Sequence, residues 1–128
     1  MRCRDLDGTV QHLDTEYTYL RDEPYAVTVI FRTRGLELPW TFGRDLLAHG
    51  LEIGTGEGDV RVWPGTDPHG RRVVSLELTS PDGHLVVEAD LAEVSDFVAD
   101  TMVLVPVGTE GDHLDLDSLV EDFFRTTP

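Results

Sequence analysis

Residues 40–64 read WTFGRDLLAHGLEIGTGEGDVRVWP. The opening of this stretch completes an alternating pattern in which Leu38, Trp40 and Phe42 are separated by smaller or polar residues. Alternation with period two predicts a strand that has one strongly apolar face. A face that carries such large side chains must pack against another layer, so the stretch predicts a substantial core.

A short helix and a second strand follow within the same stretch. Residues 44–49 are mostly good helix formers, and Gly50 stands where a left-handed residue would end such a helix. Residues 59–63 alternate again, and Pro64 is expected to end that strand. We therefore expect a strand–helix–strand unit that buries both tryptophans.

The same reasoning extends to the rest of the chain. Alternating apolar residues predict further strands at residues 25–33, 36–42, 72–79 and 85–89. Short turns separate these strands, so neighbouring strands should pair antiparallel. Helical spacing predicts two more helices, at residues 90–102 and 117–125. The predicted fold class is α+β, a mainly antiparallel sheet of about six to eight strands with two or three helices.

Length and composition favour one intracellular domain. The chain has 128 residues, and we expect them to form a single domain in which residues 1–16 are poorly specified. Cys3 is the sole cysteine, which excludes an intrachain disulfide and fits a reducing compartment. The sequence contains no apolar run of membrane-spanning length and no signal-peptide pattern.

The charge is strongly and unevenly negative. The formal net charge is −15, and all ten basic residues are arginine. From Asp82 onward the chain has twelve acidic residues and one basic residue, Arg125. Such a surface repels phosphate backbones and anionic membranes, which opposes binding to nucleic acid or directly to a membrane. It can serve as a solubilising face or as a recognition surface for a basic partner.

The sequence shows no pattern typical of catalysis or of a cofactor site. No nucleophile–base–orienter set is readable, and the glycines of residues 54–58 lack the lysine that completes a phosphate loop. His113, Asp115 and Asp117 would share one face of a strand, but three oxygen or nitrogen ligands are too few to predict a metal site. We therefore predict no enzyme, no cofactor and no metal.

Several motifs carry a resemblance to a known family. The chain combines Trp-x-Phe-x-Arg-Asp-Leu-Leu, from Trp40, with Gly-Asp-Val-Arg-Val-Trp-Pro, ending at Pro64. Further matches follow in family order: PYAV at 24–27, LTSPDG at 78–83, PVGTE at 106–110 and HLDLD at 113–117. Over residues 24–125 the chain resembles the SsgA-like family of actinobacterial sporulation and cell-division proteins. It departs from that family over residues 1–14, which are short and charged where the family has a longer apolar strand.

The resemblance implies a non-enzymatic adaptor in sporulation-specific septation. The chain looks most similar to the septum-siting member, which implies that it helps to site the septum and to recruit the tubulin-like division GTPase. A fold similar to whirly-type single-stranded nucleic-acid-binding modules and a homotrimer are also implied. So is a cytoplasmic location at the septum, reached through the GTPase and a family paralogue. The alternative is a single-stranded nucleic-acid-binding protein of whirly-like fold, which the charge opposes.

Two sets of residues follow from this interpretation. Adaptors act through exposed residues on rigid elements, so the candidate partner surface comprises Arg44, His49, Glu121 and Asp122. For Arg44, a fixed ion pair and a solvent-exposed position are the alternatives. The family motifs imply a buried set made of Tyr25, Trp40, Phe42, Leu46, Leu47 and Trp63.

Overall fold

The structure, a computed structural model, describes residues 1–4, 10–33, 35–81 and 83–113. Within these ranges the chain forms nine strands, two α-helices and one short 3-10 helix. In chain order they are β1 (Arg2–Arg4), β2 (Val10–His12), β3 (Asp14–Thr18), β4 (Ala26–Thr33), β5 (Leu36–Gly43), α1 (Arg44–Gly50), β6 (Thr55–Glu57), β7 (Val60–Thr66), β8 (Arg72–Ser80), β9 (Gly83–Asp90), α2 (Leu91–Leu104) and the 3-10 helix (Glu110–His113).

The strands form two antiparallel sheets. One sheet has six strands in the order β2-β1-β9-β8-β7-β6, and the other has three in the order β3-β4-β5. Every strand pair in the described part of the chain is antiparallel. The predicted α+β class with antiparallel pairing is therefore confirmed. The count exceeds the expected one because β1, β2 and β6 are each three residues long, too short for alternation to be visible.

One hydrophobic cluster joins both sheets and the inner sides of both helices. It includes Val29 and Phe31 of β4, Val62 of β7 and Val87 of β9, each with no measurable exposure. Val94 of α2 is buried in the same cluster. β4 is the middle strand of its sheet, and one of its faces is fully covered by this cluster.

The N-terminal segment, which was expected to be poorly specified, contributes strands. β1 pairs with β9, and β2 pairs with β1 at the edge of the six-stranded sheet. β7 also continues beyond its predicted end through Pro64 to Thr66. β6 pairs only with the first part of β7, so Pro64 has a neighbouring strand, β8, on one side alone. On its other side there is no strand pairing for the missing N–H to interrupt.

Gly50 differs from its predicted role at a helix end. It lies inside α1 and is not among the glycines with positive φ in the described chain. A Cβ at this position would lie 2.3 Å from Val62 Cγ1. The residue must therefore be glycine because α1 packs directly on β7, and the helix ends through Leu51 in a right-handed conformation.

The predicted helices have two different outcomes. α2 begins after Asp90 as expected and runs two residues beyond its predicted end at Met102. Pro106, which follows Val105, marks the point where the chain leaves the helix. The predicted helix at residues 117–125 lies outside the described residues.

Candidate functional site

Arg44, the first residue of α1, has the most extensive set of polar contacts in the described structure. Its side chain is buried, with 1 % of its surface exposed. Nη1 donates hydrogen bonds to the Tyr19 hydroxyl at 3.0 Å, to the Thr101 carbonyl at 3.1 Å and to the Val105 carbonyl at 2.7 Å. Nη2 donates to Glu110 Oε1 at 2.8 Å. One guanidinium therefore ties α1 to the end of α2 and to the 3-10 helix.

The C-terminus of α2 explains why a cation is needed there. The last carbonyls of a helix have no intrahelical donor, and the helix dipole places partial negative charge at that end. α2 has no basic residue in its last turn. Arg44 supplies both the donor and the positive charge from another element of the fold, and so acts as the C-terminal cap of α2.

Glu110 completes the charge balance of this network. Its Oε2 accepts a hydrogen bond from the Gly108 N–H at 2.8 Å, while Oε1 receives Arg44. Hydrogen bonding from its own backbone N–H, together with the bonds from Arg44 and Gly108, holds the pKa of Glu110 below its ordinary value. The carboxylate is thus ionised at neutral pH, and the pair fixes the turn that precedes the 3-10 helix.

The loop between β3 and β4 is attached to the same network. The Arg44 guanidinium lies 5.3 Å from the centre of the Tyr19 ring, a cation–π arrangement. The Tyr19 hydroxyl donates to the Pro24 carbonyl at 2.8 Å. The backbone N–H of Arg44 donates to the Tyr25 carbonyl, also at 2.8 Å. Burial raises the pKa of Tyr19, and the nearby Arg44 opposes that rise. The hydroxyl therefore stays protonated and bridges Arg44 to the loop.

Exposed apolar side chains flank these contacts. We call them the apolar rim: Leu20, Tyr25, Val103, Leu104 and Val107, all exposed. Each of these residues either contributes a backbone group to the network or lies within two residues of one that contributes a group. The Tyr25 hydroxyl, for example, lies 3.9 Å from the position that a Cβ on Gly111 would occupy, which places it beside the 3-10 helix.

The outward side of α2 is acidic. Glu93, Asp96 and Asp100 are exposed, and no basic side chain of the described residues forms an ion pair with them. We call these three residues the acidic face. Asp96 and Asp100 precede Leu104 at four-residue intervals, so they share its side of the helix. The acidic face therefore continues directly into the apolar rim.

The structure changes the predicted partner surface. Arg44 is buried and cannot be an exposed contact, so its place on that surface was wrong, and the fixed ion pair is the alternative that the structure shows. His49 is exposed in the last turn of α1. Glu121 and Asp122 lie outside the described residues. His49 and Arg44 do not share a surface, because the Arg44 side chain is buried and the His49 side chain is exposed.

The predicted buried set is partly correct. Phe42 and Leu47 are buried, and Trp40 and Leu46 are half-buried against the core. Tyr25 is 56 % exposed, because it precedes β4 and the neighbouring Pro24 takes the buried position.

Trp63 also departs from its predicted core position. It alternates with the buried Val62 and is only half-buried, so it belongs to the other face of β7. The Arg61 guanidinium lies 5.6 Å from the centre of its ring on that face. Strand alternation places Trp63 outside the main cluster, where the aliphatic part of Arg61 can cover it.

Sequence reasoning missed Tyr19, Glu110 and the apolar rim. The sequence did contain a signal for the rim. The apolar residues at helical spacing in α2 are enough to form its buried side, so further apolar residues nearby have no place there. Val103, Leu104 and Val107 were apolar residues in excess of that face. No comparable local signal pointed to Glu110, which is separated from Arg44 by 66 residues.

The described part of the chain has neither a cluster of metal-ligating side chains nor a membrane-spanning helix. Its residues contain no group of three or more His, Cys, Asp or Glu side chains that could hold a metal ion. Asp115 and Asp117, from the weighed metal triplet, lie outside that part. No helix in the described ranges is long and apolar enough to cross a membrane.

Comparison with known proteins gives matches along most of the chain. A family model described as "Streptomyces sporulation and cell division protein, SsgA" matches residues 13–110. The chain is 42% identical over 121 residues to the sporulation-specific cell division protein SsgB of Kineococcus radiotolerans, covering 94% of this chain and 73% of that protein. It is 48% identical over 96 residues to SsgB of Streptomyces coelicolor, covering 74% of this chain and 69% of the relative.

Solved structures show the same likeness. The SsgA-like sporulation-specific cell division protein of Thermobifida fusca superposes with a TM-score of 0.84 at 35% identity, covering 95% of this chain and 89% of that chain. A structure from work on SsgB mutations and longitudinal cell division during sporulation of Streptomyces coelicolor superposes with a TM-score of 0.83 at 38% identity. That match covers 88% of this chain and 89% of the other. Sequence and fold are therefore shared over the same region.

Proposed function

This chain belongs to the SsgA family of sporulation and cell division proteins, and from that membership we propose that it acts in sporulation-specific septation as a non-enzymatic adaptor. In this role it helps to site the septum and to recruit the tubulin-like division GTPase. The similarity to SsgB proteins over most of the chain is the observation that carries the proposal.

The buried polar groups support a role carried by the surface. Arg44 and Glu110 are engaged in holding α2 and the 3-10 helix. The buried carboxylate of Asp67 accepts hydrogen bonds from the N–H groups of His69 and Arg71, both at 2.9 Å, and thereby fixes its own turn. Groups used in this way hold the architecture in place, so exposed residues on rigid elements are left to recognise partners.

We place homotrimer formation at the β5 edge. In the described structure β5 is an outer strand of the three-stranded sheet, and Leu36 and Leu38 on it are exposed. An exposed apolar edge strand favours association with another chain. Analytical ultracentrifugation should give the mass of a trimer, and Leu38→Lys should shift the mass toward that of a monomer. A purely monomeric wild-type chain at tens of micromolar, roughly the range of modest interfaces, contradicts this part of the proposal.

Recruitment to the septum is expected to occur through protein partners, the division GTPase and a family paralogue. His49, Glu121 and Asp122 are the candidate contacts for these partners. Twelve acidic residues after position 81 oppose the single-stranded nucleic-acid alternative. A single-stranded DNA probe should therefore show no mobility shift at physiological salt.

The direct test is localisation in a sporulating actinobacterium that lacks its own septum-siting protein. A fluorescent fusion of this chain should form ladders of foci that coincide with the division GTPase and should restore septation. The matched comparison is His49→Glu, which should leave the fold intact by circular dichroism, because His49 is exposed, and should weaken co-localisation. A folded wild-type fusion that stays diffuse and restores no septa refutes the adaptor role.

A further inference from the structure

We propose that the apolar rim and the acidic face of α2 form one docking surface for a basic amphipathic segment of a partner protein. The inference rests on the proposed adaptor function and specifies the chemistry of the partner. The segment it fits is a helix whose apolar stripe is bordered by lysine or arginine. Three independent observations lead to this surface.

The first observation is the distribution of exposed apolar side chains. The described residues include eight large hydrophobic side chains that are exposed, and five of them form the apolar rim. Val103, in the last turn of α2, is 80% exposed. A helix that packs on a sheet normally carries polar residues on its outer side, so apolar residues gathered at one outer end mark an interaction surface.

The second observation is that this surface is held rigid from within. The Arg44 network fixes the end of α2, the Tyr19–Pro24 loop and the start of the 3-10 helix relative to one another. The rim residues are carried by these three elements. A surface that is already ordered loses little conformational entropy when it binds, which favours affinity.

The third observation is the charge next to the rim. Asp96 and Asp100 lie on the same side of α2 as Leu104 and make no ion pair with the described residues. α2 has no basic residue in its last turn, and the charge of Arg44 at that end is balanced by Glu110, so the negative charge of Asp96 and Asp100 is not offset there. Complementary potential steers and selects partners, and here it selects positive charge.

The same charge argues against the chain's own C-terminal residues as the occupant. Residues 114–128 contain four acidic side chains and one basic side chain, Arg125. Placing them beside the acidic face would bring like charges together. A basic segment from another protein satisfies both the apolar rim and the acidic face.

The binding test uses two synthetic helical peptides with identical leucine stripes, one with lysine and the other with glutamate on the polar positions. Fluorescence anisotropy with the full chain should show binding of the leucine–lysine peptide, weakened by salt, and none of the leucine–glutamate peptide. Val103→Asp should weaken binding about tenfold, the effect of losing one apolar anchor. Ile53→Asp is the matched control, since Ile53 is also 80% exposed but lies in the turn after α1.

A second pair of variants separates local charge from overall charge. The double change Asp96→Lys and Asp100→Lys should abolish the salt-sensitive part of binding. The double change Glu52→Lys and Asp59→Lys alters the net charge by the same amount at exposed sites elsewhere, and should leave most of the binding intact. Equal losses in the two double variants, or in the Val103 and Ile53 variants, overturn the proposal, because binding would then reflect total charge alone.

Other occupants give distinct outcomes. A change in the sedimenting mass of the full chain on Val103→Asp assigns the surface to a contact between copies and overturns the partner assignment. Peptide binding that arises only after Phe123→Asp and Phe124→Asp assigns it to the chain's own C-terminal residues, with the same consequence.

The septal fusion distinguishes failure of this inference from failure of the adaptor function. If the Val103→Asp fusion localises as the wild type does, the docking surface is refuted while the adaptor function stands. If the wild-type fusion itself is diffuse, the adaptor function is refuted.

Discussion

Replacing Arg44 with methionine should lower the free energy of unfolding by about 3 kcal/mol without changing the fold. Methionine retains a long unbranched side chain but removes the guanidinium. The Val105 carbonyl, 2.7 Å from Nη1, then lacks its donor, whereas the Thr101 carbonyl keeps the N–H of Val105. One unpaired buried acceptor costs about 1–3 kcal/mol, and losing a partly buried cation at a helix C-terminus costs up to about 2 kcal/mol. Glu110, which is 8% exposed, also loses its counter-charge, although Oε2 keeps the Gly108 N–H. Removing one partner of a buried ion pair costs about 3–5 kcal/mol, so about 3 kcal/mol is the low end of the expected loss.

Urea unfolding followed by circular dichroism measures this effect. With a slope of about 2 kcal/mol per molar urea, a loss of about 3 kcal/mol lowers the midpoint by about 1.5 M. Arg61→Met is the matched control, because the Arg61 side chain is 66% exposed and its carboxylate partner Glu77 is 4.0 Å away. That control should change stability by no more than about 0.5 kcal/mol. Equal midpoint shifts in the two variants would refute the assignment of Arg44 as the cap of α2.

Three further predictions use the same unfolding assay. Gly50→Ala should lower the free energy of unfolding by about 2–3 kcal/mol, because its Cβ would lie 2.3 Å from Val62 Cγ1. Gly65→Ala should be neutral or stabilising, because the nearest atom to its Cβ would be 4.0 Å away. Similar losses in the two variants contradict the packing argument. Trp40→Ala should cost about 2 kcal/mol, less than the roughly 3–5 kcal/mol of a fully buried aromatic residue, because the indole is only half-buried; a larger loss contradicts that. Hydrogen bonds from backbone N–H groups of its own turn lower the pKa of Asp67, so its stabilisation is present above the ordinary carboxyl pKa and is lost as pH falls through the lowered value. Stability should thus fall as the pH drops below the ordinary carboxyl pKa of about 4, and it should fall less steeply in Asp67→Asn. Equal slopes refute this.

The long hairpins could be predicted from the sequence because local signals agree there. β4 and β5 alternate clearly, and Gly35 between them has the positive φ that the turn needs. β8 and β9 pair from Val73 opposite Asp90 to Ser80 opposite Gly83, a register that follows from the short connection between them. Strong periodicity and turn chemistry specify the same pairing, so tertiary context had little to add.

Other elements depend on context that no short window contains. β1 and β6 have three residues each, fewer than an alternating pattern needs to be recognised. Gly50 carries a packing requirement set by Val62, which belongs to a different strand. In the sequence alone, a glycine after a predicted helix fits a left-handed cap as well as it fits close packing. The cap was therefore predicted, although the structure shows that packing is the reason for the glycine.

The site was less predictable than the fold. An arginine at the start of a helix is unfavourable for the dipole of that helix, so Arg44 is an unusual residue at this position. Its role becomes visible only when the C-terminus of α2 is brought to it. The groups that its guanidinium contacts lie between 25 and 66 residues away along the chain, and no periodic pattern links them.

The spacing within the Arg44 network also has a consequence for synthesis on the ribosome. Glu110 follows Arg44 by 66 residues, and at about 5–20 residues per second it is made on the order of 3 to 13 s later. During that interval the nascent chain can form its early hairpin, but α1 has no helix end to hold and its cation has no counter-charge. The Arg44 contacts can therefore form only after residues 101–110 have emerged, so the junction of α1, α2 and the 3-10 helix is completed late in synthesis.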